Sequence, residues 1–321
     1  MLYLSFVLLV VFSIVLALAT SLILKSVKKI SSLSGIGDYA VANLIIALST
    51  SLPELVIAIQ ASLNNQSSLS LGNILGSNIA DLSVVIGGAI IIGGTLKIGR
   101  NILEHDVYYA FLITAAPLVL LFDGKLDRLD GFLLFVLFLL WQFISLGNGR
   151  RKLRGSILDQ RRKTKSKILK NKKEALVVGS KLLVGLIGLL LSAQVLVGRA
   201  EFLATHFKIP PLVIGIFLIG LGSSLPELVL QTKAIRNKES SIALGDLFGS
   251  IVSNSSLILG INALISPFSL GQPHLYITTT MFFLLTFFFF FLFINTKEEL
   301  ERWEGAILLM LYFILAAIEL I

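Results

Sequence analysis

Long apolar segments alternate with short polar links along the whole chain. Many of these segments exceed the roughly 18 residues that a helix needs to cross a bilayer. The pattern predicts ten membrane spans, over residues 2–24, 39–62, 69–95, 106–122, 130–147, 175–198, 209–232, 240–266, 275–295 and 304–321. We therefore predict an all-α polytopic membrane protein, because strands of a membrane barrel would be shorter and would alternate in polarity.

One stretch occurs twice within these spans. Residues 51–56 read SLPELV, and residues 224–229 repeat the same letters 173 positions later. At the same offset, Gly72 matches Gly245, and Gly76-Ser77 matches Gly249-Ser250. Five predicted spans separate equivalent points, and an odd number makes the two copies enter the membrane from opposite sides. The sequence thus predicts two inverted five-helix repeats, 1–149 and 175–321, joined by a linker over 150–174.

Charge is concentrated in that linker. Residues 150–173 hold twelve of the 27 lysines and arginines, so the net charge of +8 belongs to one loop and does not indicate a nucleic-acid surface. With both termini outside, 22 of the 27 basic residues fall in inside loops and four in outside loops. Basic loops stay in the cytoplasm. We therefore predict a cell-membrane protein with both termini outside and loop 150–173 cytoplasmic, either as a solvated linker or in contact with anionic lipid or an acidic regulator.

Glu54 and Glu227 are carboxylates in mid-membrane, where ionisable residues are costly and are candidates for function. Each follows a proline, which removes a backbone donor and leaves a carbonyl four residues back without its helical partner. Those carbonyls belong to Ser49 and Gly222. Each copy therefore places a carboxylate beside loosened backbone oxygens, which are ligands for a hard cation.

The following span in each half adds polar residues at helical spacing. Residues at i, i+4 and i+8 share one helix face. These are Asn73, Ser77 and Asp81 in the first half, and Asp246, Ser250 and Asn254 in the second. The faces that carry the glutamates include Ala47, Thr50 or Ser51, and Gly220, Ser223 or Ser224. Small residues at Gly72, Gly76, Gly245 and Gly249 would let these helices approach closely, so that all these oxygens converge.

The converging groups form an all-oxygen site. It lacks the His and Cys ligands that zinc or copper favour, and it suits Na⁺ or Ca²⁺ better than Mg²⁺, which resists dehydration. Glu54, Asp81 and Glu227 carry three negative charges when ionised, and these must be neutralised in a low dielectric. Ca²⁺, several Na⁺ or protons could each do so, and a site that can be filled in alternative ways is what an antiporter needs.

The repeated motifs resemble those of the cation/calcium exchanger superfamily, especially prokaryotic sodium/calcium exchangers. A G-T-S-L-P-E-like segment is followed about twenty residues later by a G-N-x-x-G-S-N-like segment, twice, and the alpha-repeats correspond to residues 42–90 and 215–263. The resemblance implies that Glu54 and Glu227 bind both Ca²⁺ and Na⁺, with exchange of about three Na⁺ for one Ca²⁺ and two helices sliding over a rigid core.

The same resemblance implies the remaining ligands. The backbone carbonyls of Thr50 and Ser223 would join the Ca²⁺ site. The Na⁺ sites would be completed by the hydroxyls of Ser51, Ser77, Ser224 and Ser250 and the carbonyls of Ala47 and Gly220. Asp81 and Asn254 would flank the centre, exchanged relative to the archaeal-type pattern, and Asp246 replaces an asparagine of that pattern. Asn73 and Asp246 are therefore possible accessory ligands, and Asp246 leaves both the proton dependence and the Na⁺ stoichiometry open.

Three alternatives stand beside a Na⁺/Ca²⁺ antiporter. An H⁺-coupled or other divalent-cation exchanger would share the motifs, although the glutamate-richer second motif of proton/calcium exchangers is missing. A channel would carry flux without a counter-ion gradient. An intramembrane enzyme could use two acids, but no nucleotide- or diphosphate-binding motif accompanies them. We expect no enzymatic activity, no cofactor and no nucleic-acid partner; Ca²⁺, Na⁺ and the bilayer are the expected partners, with the oligomeric state open.

Overall fold

The computed structural model describes residues 2–34, 50–97, 107–153, 172–271 and 273–320. The first half contains α1 Leu2–Ser34, α2 Leu52–Leu63, α3 Ser67–Ala80, α4 Ile86–Gly93, α5 Val107–Leu120 and α6 Arg128–Leu153. The second half contains α7 Lys172–Phe207, α8 Pro211–Ile214, α9 Leu221–Ser223, α10 Leu225–Arg236, α11 Ser240–Val252, α12 Leu259–Ile265, α13 Pro273–Lys297 and α14 Arg302–Leu320. The described chain is therefore mostly helical, as the apolar pattern predicts.

Three short π-helical segments interrupt these helices. They are π1 Asp81–Val85 between α3 and α4, π2 Gly215–Gly220 between α8 and α9, and π3 Ser253–Ile258 between α11 and α12. A 3₁₀ turn, Leu121–Asp123, follows α5.

Five continuous helical segments in the described ranges are long and apolar enough to cross a membrane. They are Tyr3–Ile23, Ser67–Gly93, Leu176–Phe207, Ile242–Ile265 and Pro273–Thr296. The bent pair Pro211–Ser223 and Leu225–Arg236 makes a sixth if it counts as one span. The prediction of a helical membrane protein is confirmed in this respect, while the full count of ten spans stays a prediction.

The polar repeat spans lie at the centre of the bundle. In the most apolar stretch of Ser67–Gly93, 83% of the residues are buried, and in that of Ile242–Ile265, 72%. The corresponding share is 28% in both Tyr3–Ile23 and Leu176–Phe207. The two less buried helices pack along each other and expose apolar side chains such as Leu18 and Val184 on their outer faces. Exposed apolar faces of this kind suit lipid contact, so the polar faces are the ones turned inward.

Glycines bring the central helices close together, as predicted for Gly72 and Gly76. A Cβ atom on Gly72 would lie 2.2 Å from the carbonyl oxygen of Leu212, and one on Gly76 would lie 2.3 Å from that of Ile216. Helix α3 therefore packs directly on the backbone of α8 and π2. The corresponding role of Gly245 and Gly249 stays a prediction.

Two short strand pairs join the halves, so the described chain is not entirely helical as the sequence predicts. β1, Leu96–Lys97, pairs antiparallel with β4, Glu299–Leu300. β2, Lys125–Leu126, pairs antiparallel with β3, Phe268–Ser269. Each pair contains one strand from the first half and one from the second. The loops at the helix ends are therefore hydrogen-bonded between the two halves.

Candidate ion-binding site

Both repeated glutamates lie in the first turn of a helix. Glu54 is in α2 and Glu227 in α10, and each residue is only 1% exposed. Ser51 and Ser224 precede these helices with nearly the same backbone angles, φ −79° and ψ 5° against φ −82° and ψ 4°. A carboxylate in the first turn lies at the positive end of the helix dipole, which partly offsets the cost of burying it.

The helix break expected from proline is present in the second copy. Pro226 lies near the start of α10, and the axis bends by 43° between Pro211–Ser223 and Leu225–Arg236. Because proline has no N–H, it cannot donate to the carbonyl of Gly222. In the first copy Pro53 has the same position in α2, but residues 35–49, including Ala47 and Ser49, lie outside the described residues.

A hydroxyl before each break reaches into the opposite half. The Thr50 hydroxyl donates to Asp246 Oδ1 at 3.0 Å and lies 3.4 Å from Ser250 Oγ. The Ser223 hydroxyl donates to Asn73 Oδ1 at 3.3 Å and lies 3.2 Å from Ser77 Oγ. Thr50 and Ser223 are equivalent positions of the repeat, as are their partners. The same contact is therefore made twice, once in each direction across the two halves.

Ser77 connects one glutamate to the opposite backbone. Its Oγ lies 3.5 Å from Glu54 Oε1 and 3.3 Å from the carbonyl oxygen of Gly220. The Gly220 carbonyl oxygen also accepts from the Ser224 N–H at 3.2 Å and lies 3.1 Å from Ser223 Oγ, as an alternative acceptor for that hydroxyl. These contacts bring Ser77, Glu54, Gly220 and Ser223 to one place.

Six predicted ligands each keep one buried side-chain oxygen without a hydrogen-bond partner in the described structure. They are Ser51 Oγ, Glu54 Oε2, Asp81 Oδ1, Ser224 Oγ, Glu227 Oε2 and Asn254 Oδ1. Buried polar atoms are normally hydrogen-bonded, because leaving one unpaired costs about 1–3 kcal/mol. Oxygens of this kind, from carboxylates, hydroxyls and an amide, are the ligands that Na⁺ and Ca²⁺ use. The donor set therefore fits a hard cation.

Four carboxyl groups of the central helices lie within electrostatic range of one another. Glu54, Asp81, Glu227 and Asp246 interact in every pairwise combination, and all are at most 2% exposed. Like charges buried together destabilise each other unless cations or protons neutralise them. Among the described residues, however, no three His, Cys, Asp or Glu side chains form a compact metal-binding group by themselves. Any bound cation would thus need the hydroxyl, amide and carbonyl oxygens as well.

The accessory residues predicted from the sequence, Asn73 and Asp246, both take part in the contacts between halves. Asn254, Ser250 and Ser224 are buried on the central helices as expected. The predicted use of the Thr50 and Ser223 backbone carbonyls stays a prediction.

Sequence reasoning missed Gln231. This residue is fully buried, and its Nε2 donates to Asp246 Oδ2 at 3.0 Å. It lies four residues after Glu227, one helical turn along the same face, so the i, i+4 spacing could have indicated it. A second missed contact joins Asn78 Nδ2 to Ser255 Oγ at 2.7 Å across the halves.

The π-helical segments were also missed, although they carry predicted ligands. Asp81 begins π1, Gly220 ends π2, and Asn254 lies in π3. In π1 and π3 a serine, Ser83 or Ser256, donates to the carbonyl four residues back. Such bonds compete with the helix ladder and deform it, and π-segments are common at functional sites. The matched serines were the available signal.

A buried, oxygen-lined centre in a helical membrane protein whose sequence carries the same motif twice is typical of ion transporters with internal repeats. The chain matches the sodium/calcium exchanger protein family over residues 4–147 and 180–320, and it belongs to that family. The chain is thus a membrane cation/calcium exchanger, which confirms the resemblance seen in its motifs.

The chain is also similar to curated relatives, and it shares its fold with a solved structure. The chain is 28% identical to the sodium/calcium exchanger MaX1 of Methanosarcina acetivorans, over 97% of each chain. It is 30% identical to the inner membrane protein YrbG of Escherichia coli (strain K12), over 73% of this chain and 71% of the relative. The sodium-calcium exchanger NCX_Mj, in crystals soaked with Na⁺ and Sr²⁺, shares the fold with a TM-score of 0.67 at 23% identity, over 99% of each chain.

Proposed function

We propose that this chain is a Na⁺/Ca²⁺ antiporter that binds its ions at Glu54 and Glu227 and works by alternating access. The observation that carries the proposal is the double contact between halves, in which Thr50 reaches Asp246 and Ser223 reaches Asn73. Ser77, which lies 3.2 Å from Ser223 Oγ, also contacts Glu54. Glu54 and Glu227 each keep a buried oxygen without a partner in the described structure, so residues of both halves contribute to one centre.

The proposed architecture is ten spans in two inverted five-helix repeats, 1–149 and 175–321, around that centre. The recurrence of a π-segment after both α3 and α11 supports it, as does a 12-residue helix carrying each glutamate. The orientation, with termini outside and loop 150–173 inside, rests on the distribution of lysine and arginine.

The proposed ion ligands are those that the motifs imply. Glu54 and Glu227 serve both ions, with the carbonyls of Thr50 and Ser223 at the Ca²⁺ position. The Na⁺ positions use Ser51, Ser77, Ser224, Ser250 and the carbonyls of Ala47 and Gly220. Asp81 and Asn254 flank the centre. A single Ca²⁺ or several Na⁺ can offset the negative charge, whereas the ionised centre without cations resists exposure to the membrane interior. That reluctance is what couples the two fluxes.

An H⁺/Ca²⁺ exchanger is the second candidate, and the extra carboxylate of Asp246 favours it. The Asp246 carboxylate is buried and lies within electrostatic range of Glu54, Asp81 and Glu227. Four buried carboxyl groups need more positive charge than one Ca²⁺ supplies, and protons are one source of it.

The deciding experiment is ⁴⁵Ca²⁺ uptake into proteoliposomes that contain Na⁺, K⁺ or choline at matched pH. Uptake that requires internal Na⁺ is the expected result. Uptake that is indifferent to Na⁺ but follows an inside-acid pH gradient would establish the proton-coupled alternative. Uptake without any counter-ion gradient would instead identify a channel.

A further inference from the structure

Two hydrogen-bonded pairs join the first half to the second beside the candidate ion centre. Asn78 Nδ2 of α3 donates to Ser255 Oγ of π3 at 2.7 Å, and the Ser62 hydroxyl of α2 contacts Asn262 Oδ1 of α12. All four residues are at most 3% exposed. Both pairs therefore lie in one buried interface, in which α2 and α3 pack against α12 and π3.

The matching interface, in which α10 and α11 pack against α4 and π1, is apolar at the equivalent positions. At the 173-residue offset, four aliphatic residues take the places of the two pairs: Ile251 and Leu82 for Asn78 and Ser255, and Ile235 and Ala89 for Ser62 and Asn262. The four are buried in one apolar cluster. Aliphatic side chains can thus fill these places in this fold, so packing alone does not require an amide and a hydroxyl there.

The polar pair of Asn78 and Ser255 differs from an aliphatic pair in direction and in stability. A hydrogen bond holds its two heavy atoms about 3 Å apart and within a narrow range of angles, whereas apolar contact has no preferred direction. Asn78 Oδ1 is also buried without a hydrogen-bond partner in the described part of the chain, and an unpaired buried oxygen lowers stability. The pair therefore adds a fixed register between α3 and π3 at some cost in stability.

That register bears directly on the two residues that flank the centre. The backbone N–H of Asp81 is hydrogen-bonded to the carbonyls of Ser77 and Asn78 at the end of α3. Ser255 follows Asn254 directly in π3. The hydrogen bond between Asn78 and Ser255 therefore links the segment that carries Asp81 to the segment that carries Asn254.

We propose that Asn78 and Ser255 are positioning residues, which set the separation of Asp81 and Asn254 and thereby the affinity of the centre for Ca²⁺. Neither side chain needs to touch the ion for this role. Groups that orient metal ligands typically change metal affinity by about 10–100-fold when they are replaced. The proposal rests on the proposed function, because it assumes that Ca²⁺ binds between the segments that this hydrogen bond joins.

The test is a double-mutant cycle of Asn78→Leu, Ser255→Ala and the two together. Equilibrium ⁴⁵Ca²⁺ binding to the purified protein gives the affinity, and thermal denaturation gives the melting temperature. We expect the half-saturating Ca²⁺ concentration to rise by about 10-fold in each single variant and no further in the double variant, because all three remove the same hydrogen bond. The melting temperature should fall in the single variants and recover in the double variant, where no polar group of the pair is left without its partner.

The combination of recovered stability and lost affinity is what a merely structural contact would not produce. If affinity recovers with the melting temperature in the double variant, or if the single effects add, the positioning role is overturned. Unchanged affinity in Ser255→Ala, the smallest change of the three, would overturn it as well. ⁴⁵Ca²⁺ uptake by the same variants in proteoliposomes should show the higher half-saturating concentration with a maximal rate close to that of the unmodified protein.

Thr286→Val is the matched control. The Thr286 hydroxyl is equally buried but donates to the Phe282 carbonyl of its own helix, α13, at 2.7 Å. Its removal should leave the Ca²⁺ affinity unchanged, and a similar loss of affinity there would overturn the special role of the contact between halves. If the unmodified protein binds no Ca²⁺, the proposed function itself fails, whereas normal Ca²⁺ binding in all the variants removes only the positioning role.

Discussion

Glu54 and Glu227 each keep one carboxylate oxygen, Oε2, without a hydrogen-bond partner in the described part of the chain. A carboxylate that served only to hold helices together would have both oxygens satisfied, since unpaired buried polar atoms are costly. The equivalent atom is unpartnered in both halves. At the residue scale, this matched pair of oxygens is the main reason to place a cation between the two glutamates.

Glu54→Gln and Glu227→Gln should each abolish Ca²⁺ transport. An amide retains the size of the side chain but removes a negative charge and one carboxylate oxygen, so we expect ⁴⁵Ca²⁺ uptake to fall by at least about 100-fold. Glu239→Gln, an exposed acid, should transport normally. Size-exclusion profiles of the purified variants would check that folding is intact, and normal exchange in either glutamate variant would remove that residue from the centre.

Asp81→Asn should have a smaller effect. Asp81 lies at the start of π1, where it is buried and its Oδ1 has no hydrogen-bond partner in the described structure. In the proposed site it flanks the centre, whereas the two glutamates bind the ion directly. We expect a decrease of about 10-fold or less in Ca²⁺ transport, as for the loss of a supporting group. The comparison is made in the same ⁴⁵Ca²⁺ assay, and a loss as severe as that of Glu54→Gln would contradict the flanking role.

At the element scale, the central helices meet through direct backbone contact at glycines as well as through buried apolar side chains. Helix α3 lies against α8 and π2 at Gly72 and Gly76, and from the other side Gly220 faces the backbone at Ser77. Small residues allow this approach and are typical of packed membrane helices. The close approach is what lets a hydroxyl on one half reach a carboxylate or carbonyl on the other.

Gly76→Ala should therefore destabilise the protein and impair transport. The new Cβ would lie 2.3 Å from the Ile216 carbonyl oxygen, and overpacking of this kind costs about 1–3 kcal/mol or more. Gly179→Ala is the matched control, because nothing lies within 4 Å of a Cβ there; in a helix it should be neutral or stabilise by up to about 1 kcal/mol. Thermal denaturation monitored by size exclusion would compare them, and equal melting temperatures would contradict the close packing.

At the scale of the whole molecule, the halves are interleaved rather than side by side. Strands β1 and β2 of the first half pair with β4 and β3 of the second, and the hydroxyl contacts cross in both directions at the centre. Neither half holds a complete set of proposed ligands, so the site exists only in the full chain.

The proposed orientation can be tested directly because the chain has no cysteine. A cysteine at Lys163, in the basic loop, should react with a membrane-impermeant maleimide only from the cytoplasmic side. A cysteine at Lys125, exposed in β2, should react only from outside. Consecutive loops of a polytopic helical protein alternate between the two sides of the membrane, and the loop at Lys125 precedes the basic loop by one span. Right-side-out and inside-out vesicles separate the two cases, and the opposite labelling pattern would reverse the topology.

The sequence by itself determined the class of protein, and it supplied the predictions of a repeat and of an oxygen-lined centre. Apolar segments long enough to span a bilayer leave few alternatives to a helical membrane protein. A mid-membrane carboxylate after a proline, repeated at one fixed offset, indicated Glu54 and Glu227 before any coordinates. The class of protein is confirmed by the family match, while the inverted repeat and the roles of Glu54 and Glu227 stay predictions. All three depend on local composition and spacing, which the chain carries directly.

Only the tertiary structure decided which groups meet. The contacts of Thr50 with Asp246 and of Gln231 with Asp246 link residues far apart or on different helices, and no periodicity specifies the distance between two helices. The π-segments at Asp81 and Asn254 were likewise invisible to a 3.6-residue pattern, because a helix is widened by competition for its carbonyls within the packed bundle. Helix spacing is set by which small residues face which backbone, and that is a property of the folded chain as a whole.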